Sequence, residues 1–282
     1  VNFIEAIFLG IIQGLTEFLP ISSTGHLTLT GKLMGVITEA HPERWTAFIA
    51  VIQLGTLLAV IVYFRKDLVL IVRAFLKENI FERKNFTGQS LNSKLGWYII
   101  IGSIPVAVIG LGFKDAIEGT FTKNLYVIAG SLITLGIILG IAEKAGNFKK
   151  NLSGINWFSA FLIGLAQSFA LIPGSSRSGT TITMALFLGF ERETAARFSF
   201  LLSIPAVFGS GLLEFYQSLS YINYSNGFNL LLATLFSFIS GYFAIGFLLK
   251  YLKTNSTYIF VFYRILIGAV IFALLYFGTI TP

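Results

Sequence analysis

Apolar residues in this chain do not recur with the period of a half-buried helix or strand. They run almost unbroken over lengths that approach the thickness of a bilayer. Six runs do so: Phe48 to Phe64, Trp97 to Gly112, Leu125 to Ile141, Phe198 to Leu213, Phe228 to Leu249 and Tyr258 to Phe277. A hydrocarbon core takes roughly 20 residues of helix, so each run predicts a transmembrane helix. Two other stretches break the pattern differently. Gly14-Leu-Thr-Glu-Phe-Leu-Pro-Ile-Ser-Ser-Thr-Gly-His26 and Ile172-Pro-Gly-Ser-Ser-Arg-Ser-Gly-Thr-Thr181 place Glu17, His26 and Arg177 in apolar surroundings. Each follows an apolar helical segment, is interrupted by Pro and Gly, and leads into a shorter helix, Thr24 to Val36 in one and Ser178 to Leu188 in the other. Ionisable groups at membrane depth are costly and mark functional sites by default.

Composition narrows the class. Of 282 residues, 55% are hydrophobic and 12% charged, and the mean hydropathy is +0.80. That excludes a soluble enzyme and indicates an all-α polytopic membrane protein, a single membrane-embedded domain over residues 1–282. With no cysteine there is no disulfide, thiolate nucleophile or cysteine metal site, and two histidines are too few for a His-rich metal cluster. The net charge of +7 does not indicate nucleic acid, because no soluble segment carries a basic stripe with interleaved aromatics. It reads as topology, since Lys and Arg are enriched in cytoplasmic loops. The segment 65–94 holds Arg65, Lys66, Arg73, Lys77, Arg83, Lys84 and Lys94, whereas the alternate loops, 114–123 and 215–227, hold only Lys114 and Lys123. The basic loops are therefore expected inside and the C-terminus outside. The N-terminal apolar stretch has no basic leader and carries Glu5 and Glu17, so it is expected to stay in the mature protein.

Parity then constrains the two interrupted stretches. With six spans between residues 46 and 277 and the 65–94 segment inside, residues 36–44 must be outside and 143–156 inside. Neither interrupted stretch fits a simple extra span, so each is expected to be a re-entrant helical hairpin, a form tolerated only where protein or water satisfies its backbone. The first would enter from outside and the second from the cytoplasm. Opposite entry is what an inverted internal repeat produces, here approximately 1–142 and 143–282. Pro20 is followed by Ser22, Ser23 and Gly25, and Pro173 by Ser175, Ser176 and Gly179, one residue longer. On that reading the hairpin tips meet near the midplane and gather Glu17, Ser22, Ser23, Thr24, His26, Ser175, Ser176, Arg177, Ser178 and Thr181 into one polar chamber.

Residue types suggest what such a chamber does. Gln13 and Glu17 are four apart and share a helix face; Ser23 and His26 are three apart and share another. A hydroxyl beside an imidazole near a carboxylate is the general form of an activated nucleophile. Hydroxyls and unpaired N–H groups at two helix N-termini make an anion site, and Arg177 adds a fork suited to phosphate, with Thr181 one turn along. Glu17 and Gln13 together offer hard oxygen ligands for a divalent cation, Mg²⁺ or Ca²⁺, bridging diphosphate oxygens.

The phrases QGLTEFLPISSTGHL and PGSSRSGTTI closely resemble the two signature regions of the bacterial undecaprenyl-diphosphate phosphatase family, also called the bacitracin-resistance (BacA, UppP) family. Length, span number and motif separation fit as well. The resemblance implies an integral hydrolase of the bacterial inner membrane, its site open to the periplasm or exterior. It would convert undecaprenyl diphosphate to the monophosphate carrier for peptidoglycan and cell-wall synthesis. It also implies roles: Glu17 as the essential carboxylate, Ser23 as nucleophile, His26 as the catalytic histidine, and Arg177 with Ser176 and Thr181 as the phosphate clamp. Position 13 is Gln where many members have Glu, which weakens a two-carboxylate metal site.

Other polar positions have plainer expectations. Gly10, Gly102, Gly110, Gly136 and Gly164 suit close helix packing, and Gln167 and Ser168 suit interhelical hydrogen bonding. Arg264 and Glu214 are expected to pair with each other or to snorkel at an interface, and His41 to be incidental. Residues 65–94 read as a solvated, headgroup-facing loop. Partners are then a polyprenyl diphosphate and membrane lipids, with no nucleic acid; the Gly-rich faces are compatible with a homodimer. A lipid-phosphate flippase or anion transporter is the alternative, because inverted repeats and broken helices also build transporters.

Overall fold

The computed structural model describes residues 1–37, 42–113, 124–218 and 224–281. His41, the loop 114–123 and the side chain of Glu214 fall outside that description. Among the described residues eleven α-helices follow in chain order: α1 (Phe3–Phe18), α2 (Ser23–Leu33), α3 (Pro42–Tyr63), α4 (Arg65–Leu76), α5 (Leu91–Gly112), α6 (Leu125–Ala145), α7 (Trp157–Gln167), α8 (Arg177–Phe187), α9 (Arg192–Ser218), α10 (Tyr224–Leu252) and α11 (Tyr258–Tyr276). Six of them are long and apolar enough to span a bilayer: Trp45–Tyr63, Leu91–Gly112, Leu125–Ala145, Arg192–Leu213, Gly227–Leu252 and Tyr258–Tyr276. These are the six expected spans, extended at their ends by polar residues that apolar runs do not report. Pro105 and Pro205 sit inside α5 and α9 without ending them, as neighbouring helices in a membrane permit.

Four of the five remaining helices form two pairs, α1 with α2 and α7 with α8, and the pairs are built alike. Asn2 closes a capping box at the start of α1 with Glu5, and Asn156 does so at the start of α7 with Ser159. Ser22 caps α2 by accepting from the Gly25 N–H at 3.2 Å, and Ser176 caps α8 by accepting from the Gly179 N–H at 3.1 Å. Both pairs stop at a glycine in the left-handed region, Gly35 (φ +66°) and Gly189 (φ +84°), where a side chain would be strained. One offset, 154 residues, relates every one of these positions and also Gln13 to Gln167. The register anchored on Pro20 and Pro173 is therefore off by one: the capping serines set the alignment, and the two prolines occupy different places in it.

Each pair is received by a span from the other half of the chain. Helix α1 packs along α10 and α7 along α5, while α3 meets α9 and α6 meets α11. Small residues let the backbones close. A Cβ on Gly10 would stand 2.3 Å from the Ala233 carbonyl oxygen, and one on Gly164 would stand 2.0 Å from that of Gly102; such contacts drive helix association where lipid is as apolar as the side chains. Gly110 makes no comparable approach, its nearest neighbour being Leu171 at 4.0 Å. Below the tips, Phe18 meets Phe200 edge-on with centroids 5.3 Å apart, and Phe64 closes on the same ring.

Residues 65–94 are not a loop. They hold α4, a π-helical turn (Lys77–Phe81) and a 3-10 turn (Phe86–Gly88). Side chains lock this return: Asn79 donates to the Ser93 hydroxyl and accepts from Gln89 and from the Trp97 indole N–H at 2.9 Å, while Glu78 accepts from the Ser90 N–H at 2.7 Å. Charge spacing in the sequence carries no trace of this polar network.

Candidate active site

The breaks between α1 and α2 and between α7 and α8 meet inside the protein. Across the first break the chain folds back so that the half-buried Ser23 hydroxyl donates to Glu17 Oε2 at 2.7 Å. From the second, Arg177 Nη2 donates to Glu17 Oε1 at 2.9 Å, with both side chains largely withdrawn from solvent. Ser178 donates to the Leu19 carbonyl at 3.0 Å. Gln13 Nε2 completes the carboxylate's shell at 3.1 Å. Glu17 is thus held by three donors, one from its own helix and one from the start of each short helix.

Ser22 (φ +75°) and Ser176 (φ +67°) hold left-handed backbone at the two caps, a conformation that costs about 1–3 kcal/mol per residue and concentrates at functional sites. What holds it is Arg264. This guanidinium, from the middle of α11, is fully buried. It donates to the carbonyls of Pro20 (3.2 Å), Leu132 (3.2 Å) and Ser175 (2.9 Å), with longer approaches to Ser131 and Gly174 at 3.4 Å. One side chain therefore ties both tips, at Ser175 next to one cap and at Pro20 two residues before the other. The expectation that Arg264 snorkels or pairs with Glu214 is corrected: backbone carbonyls converge on it from both tips, so it is retained in the interior. Gly179 makes room for it, since a Cβ there would stand 2.5 Å from Arg264 Nη1.

The neighbour of Arg264 on α11 also reaches the site. His26 Nδ1 lies 2.7 Å from the Ser22 carbonyl, which can only accept, so Nδ1 carries the hydrogen. Nε2 is left facing the Tyr263 hydroxyl at 2.7 Å, with the two rings parallel. The pairing of Ser23 with His26 suggested by their spacing is thus replaced: Ser23 pairs with Glu17, and the imidazole turns toward α11. The shared face is real, but the fold-back puts the carboxylate closer to the hydroxyl than the imidazole is.

The other expected residues divide. Ser22 and Ser176 are caps, and Ser178 bridges the tips. Ser175 is fully buried, its carbonyl on Arg264 and its hydroxyl without a partner among the described residues. Thr24 is exposed. Thr181 is not brought to the chamber: it is fully buried, bonded to the Arg177 carbonyl at 2.8 Å and the Ser199 hydroxyl at 2.6 Å. Gln167 and Ser168 were expected to bond between helices, yet neither side chain has a partner among the described residues. Tyr263 and Arg264 are what sequence reasoning missed. An arginine amid an apolar span was the available signal; nothing marked the tyrosine.

Two polar atoms at the centre remain unused, Gln13 Oε1 and Arg177 Nη1. A crevice lined by Glu17, Thr56, Leu57, Val60, Arg177, Ser203 and Val207 adjoins them, too narrow for a water molecule. Among the described residues no cluster of three or more His, Cys, Asp or Glu gathers to hold a metal. The oxygens that fit a divalent cation are Glu17 and the orphaned Gln13 Oε1, a set that suits Mg²⁺ only if substrate phosphate supplies further ligands.

Six membrane-length helices around two broken helix pairs, with a carboxylate, a hydroxyl and a guanidinium bonded where the breaks meet, define a multi-pass membrane protein with a buried polar cluster. Comparison with known proteins makes the class specific. The chain belongs to the family described as bacitracin resistance protein BacA, which it matches over residues 6–270. It is 58% identical over 95% of each chain to an undecaprenyl-diphosphatase of Syntrophobacter fumaroxidans. It is 50% identical over 99% of each to that of Chlorobium phaeovibrioides. To that of Myxococcus xanthus it is 45% identical over its whole length and 92% of the relative's.

Proposed function

We propose that this protein is an undecaprenyl-diphosphate phosphatase, removing the terminal phosphate of the lipid diphosphate to leave the monophosphate carrier used for cell-wall synthesis. Hydrolysis takes precedence over lipid flipping or anion transport because the relatives carry that activity in their names and the site presents a hydroxyl already bonded to a base. The observation that carries the mechanism is the Ser23–Glu17–Arg177 chain of contacts joining the two tips.

With Arg177 on Glu17 the crevice is closed. The diphosphate, being more highly charged than a carboxylate, draws Arg177 and its unused Nη1 onto phosphate oxygens, beside the N-termini of α2 and α8. Glu17 is released on its Oε1 side and keeps the hydrogen bond from Ser23 on Oε2. Ser23 Oγ attacks the terminal phosphorus in line with the bridging oxygen, its proton passes to Glu17, and undecaprenyl phosphate departs. Glu17 passes that proton to the departing undecaprenyl phosphate; water then attacks the phosphoserine, Glu17 taking the water's proton and returning it to Ser23 Oγ as inorganic phosphate leaves. His26 faces Tyr263 through Nε2; on taking up a proton there it exchanges that contact for a hydrogen bond donated to a phosphate oxygen. Glu17 and Gln13 would hold a divalent cation, which supplies charge neutralisation at the diphosphate when bound.

The repeated caps and the single offset support reading the chain as an inverted repeat, approximately 1–142 and 143–282, with the site at its axis. The charge asymmetry of the sequence supports an inner-membrane orientation with the site toward the periplasm or exterior. Single-turnover reaction of the purified protein in detergent with a polyprenyl diphosphate labelled on its terminal phosphate tests the chemistry. The expected result is inorganic phosphate from one compartment and an acid-stable label at Ser23 on quenching. An acid-labile label at His26 would transfer the nucleophile's role to the imidazole, and no release at all would overturn the function.

A further inference from the structure

Helix α4 and its π-helical turn take no part in the site, yet their surface is ordered in a way that the fold does not require. Three faces run along α4. Ile71 is buried and Phe75 packs on Trp97, with ring centroids 5.0 Å apart, so this face belongs to the protein. Beside it Val69, Val72 and Leu76, spaced by three and four residues, form a stripe exposed at 46%, 53% and 42%. Ile80 and Phe81, exposed at 56% and 79%, carry the apolar surface into the turn.

The third face is cationic. Lys66, Arg73 and Lys77 are separated by seven and four residues, lie along one line of the helix and are all exposed. The acidic residues of this element are engaged elsewhere: Asp67 takes Arg197 at 2.5 Å, and Glu78 is buried on Ser90. Lys77 reaches Glu82 at 3.3 Å, while Lys66 and Arg73 make no ion pair among the described residues. An exposed apolar stripe next to an exposed cationic one is the pattern of a helix lying in the membrane interface.

We infer that α4 and the π-helical turn form an interfacial lipid-binding element that collects anionic phospholipid headgroups, with Val69, Val72 and Leu76 in the acyl boundary and Lys66, Arg73 and Lys77 on the phosphodiesters. The commitment to an anionic lipid rests on charge: a zwitterionic surface satisfies the apolar stripe equally well but leaves the cations unmatched. Each Lys or Arg near an anionic surface contributes about 1 kcal/mol, roughly a fivefold change in occupancy. The element lies outside the reaction centre, so the inference does not depend on which group attacks phosphorus.

The test uses the full chain in nanodiscs of phosphatidylcholine alone or with about one third phosphatidylglycerol. Native mass spectrometry then counts the lipids retained on detergent release. The wild type is expected to keep phosphatidylglycerol over phosphatidylcholine by roughly fivefold or more, with less preference at high salt. The triple variant Lys66→Gln/Arg73→Gln/Lys77→Gln is expected to lose that preference while retaining phosphatase activity in detergent. Amide exchange over residues 65–81 should also be slower in the anionic discs for the wild type alone. Equal retention of the two lipids by the wild type, or an unchanged preference in the triple variant, would overturn the inference.

Discussion

At the scale of the residue, the site is a contest over one carboxylate. Glu17 accepts from Gln13, Ser23 and Arg177 together, so changing it disturbs three groups. Glu17→Gln removes the base and leaves Arg177 buried without its counter-charge; a loss of about 10²–10⁴ in turnover is expected from the missing base. Ser23→Ala removes the proposed nucleophile and one of the three donors to Glu17 but leaves the Arg177 pair in place, so it should cost less thermal stability than Glu17→Gln, which thermal unfolding of both variants will separate. Arg264 has a different signature. Arg264→Met strands buried carbonyls at both tips, each costing about 1–3 kcal/mol, so both stability and turnover should fall. Arg264→Lys keeps the charge but not the fork, and it should restore stability more than turnover. Glu17 and Arg177 were legible in the sequence because charge amid apolar residues needs a reason. The partner of Ser23 was not, since spacing along a helix gives faces and says nothing of what a fold-back brings over them.

Elements show which sequence signals survive burial. The six spans could be read directly, because length and hydropathy decide them. The cationic segment 65–94 was mistaken for a loop because its helix is only partly apolar and its return is held by Asn79, Gln89, Ser93 and Trp97, whose contacts cross many residues. Its stability should depend on pH. The Ser90 hydrogen bonds hold the Glu78 carboxyl below its ordinary value of 4.5. A depressed carboxylate contributes stability above its unfolded value and loses it as pH falls through the folded one. Amide protection factors over residues 77–90, taken against the intrinsic exchange rate at each pH, should therefore be high at neutral pH and fall below about pH 4.5, and Glu78→Gln should make them low and nearly pH-independent. Helix contacts offer a sharper test. Gly164→Val places a side chain on the Gly102 backbone and should unfold the α5–α7 contact, whereas Gly110→Ala, with open space around it, should change melting by little.

For the whole molecule, the account joins two halves that face each other. The caps at Ser22 and Ser176, the stops at Gly35 and Gly189, and the crossed packing of α1 on α10 and α7 on α5 make one frame. Within it the two pairs have diverged. Glu17, Ser23 and His26 correspond at the common offset to Leu171, Arg177 and Thr180, so in the proposed mechanism one half supplies the reacting groups and the other the cation. The polar residues of both tips were visible in the motifs, though their register was not, because proline is conspicuous and a capping serine is not. The most direct measurement is phosphate release from undecaprenyl diphosphate in detergent by wild type, Glu17→Gln and Arg177→Gln, each checked for intact folding. The account predicts rapid release by the wild type and at least about a hundredfold loss in both variants, one from each half. Wild-type release by either folded variant would contradict a single site built from both tips.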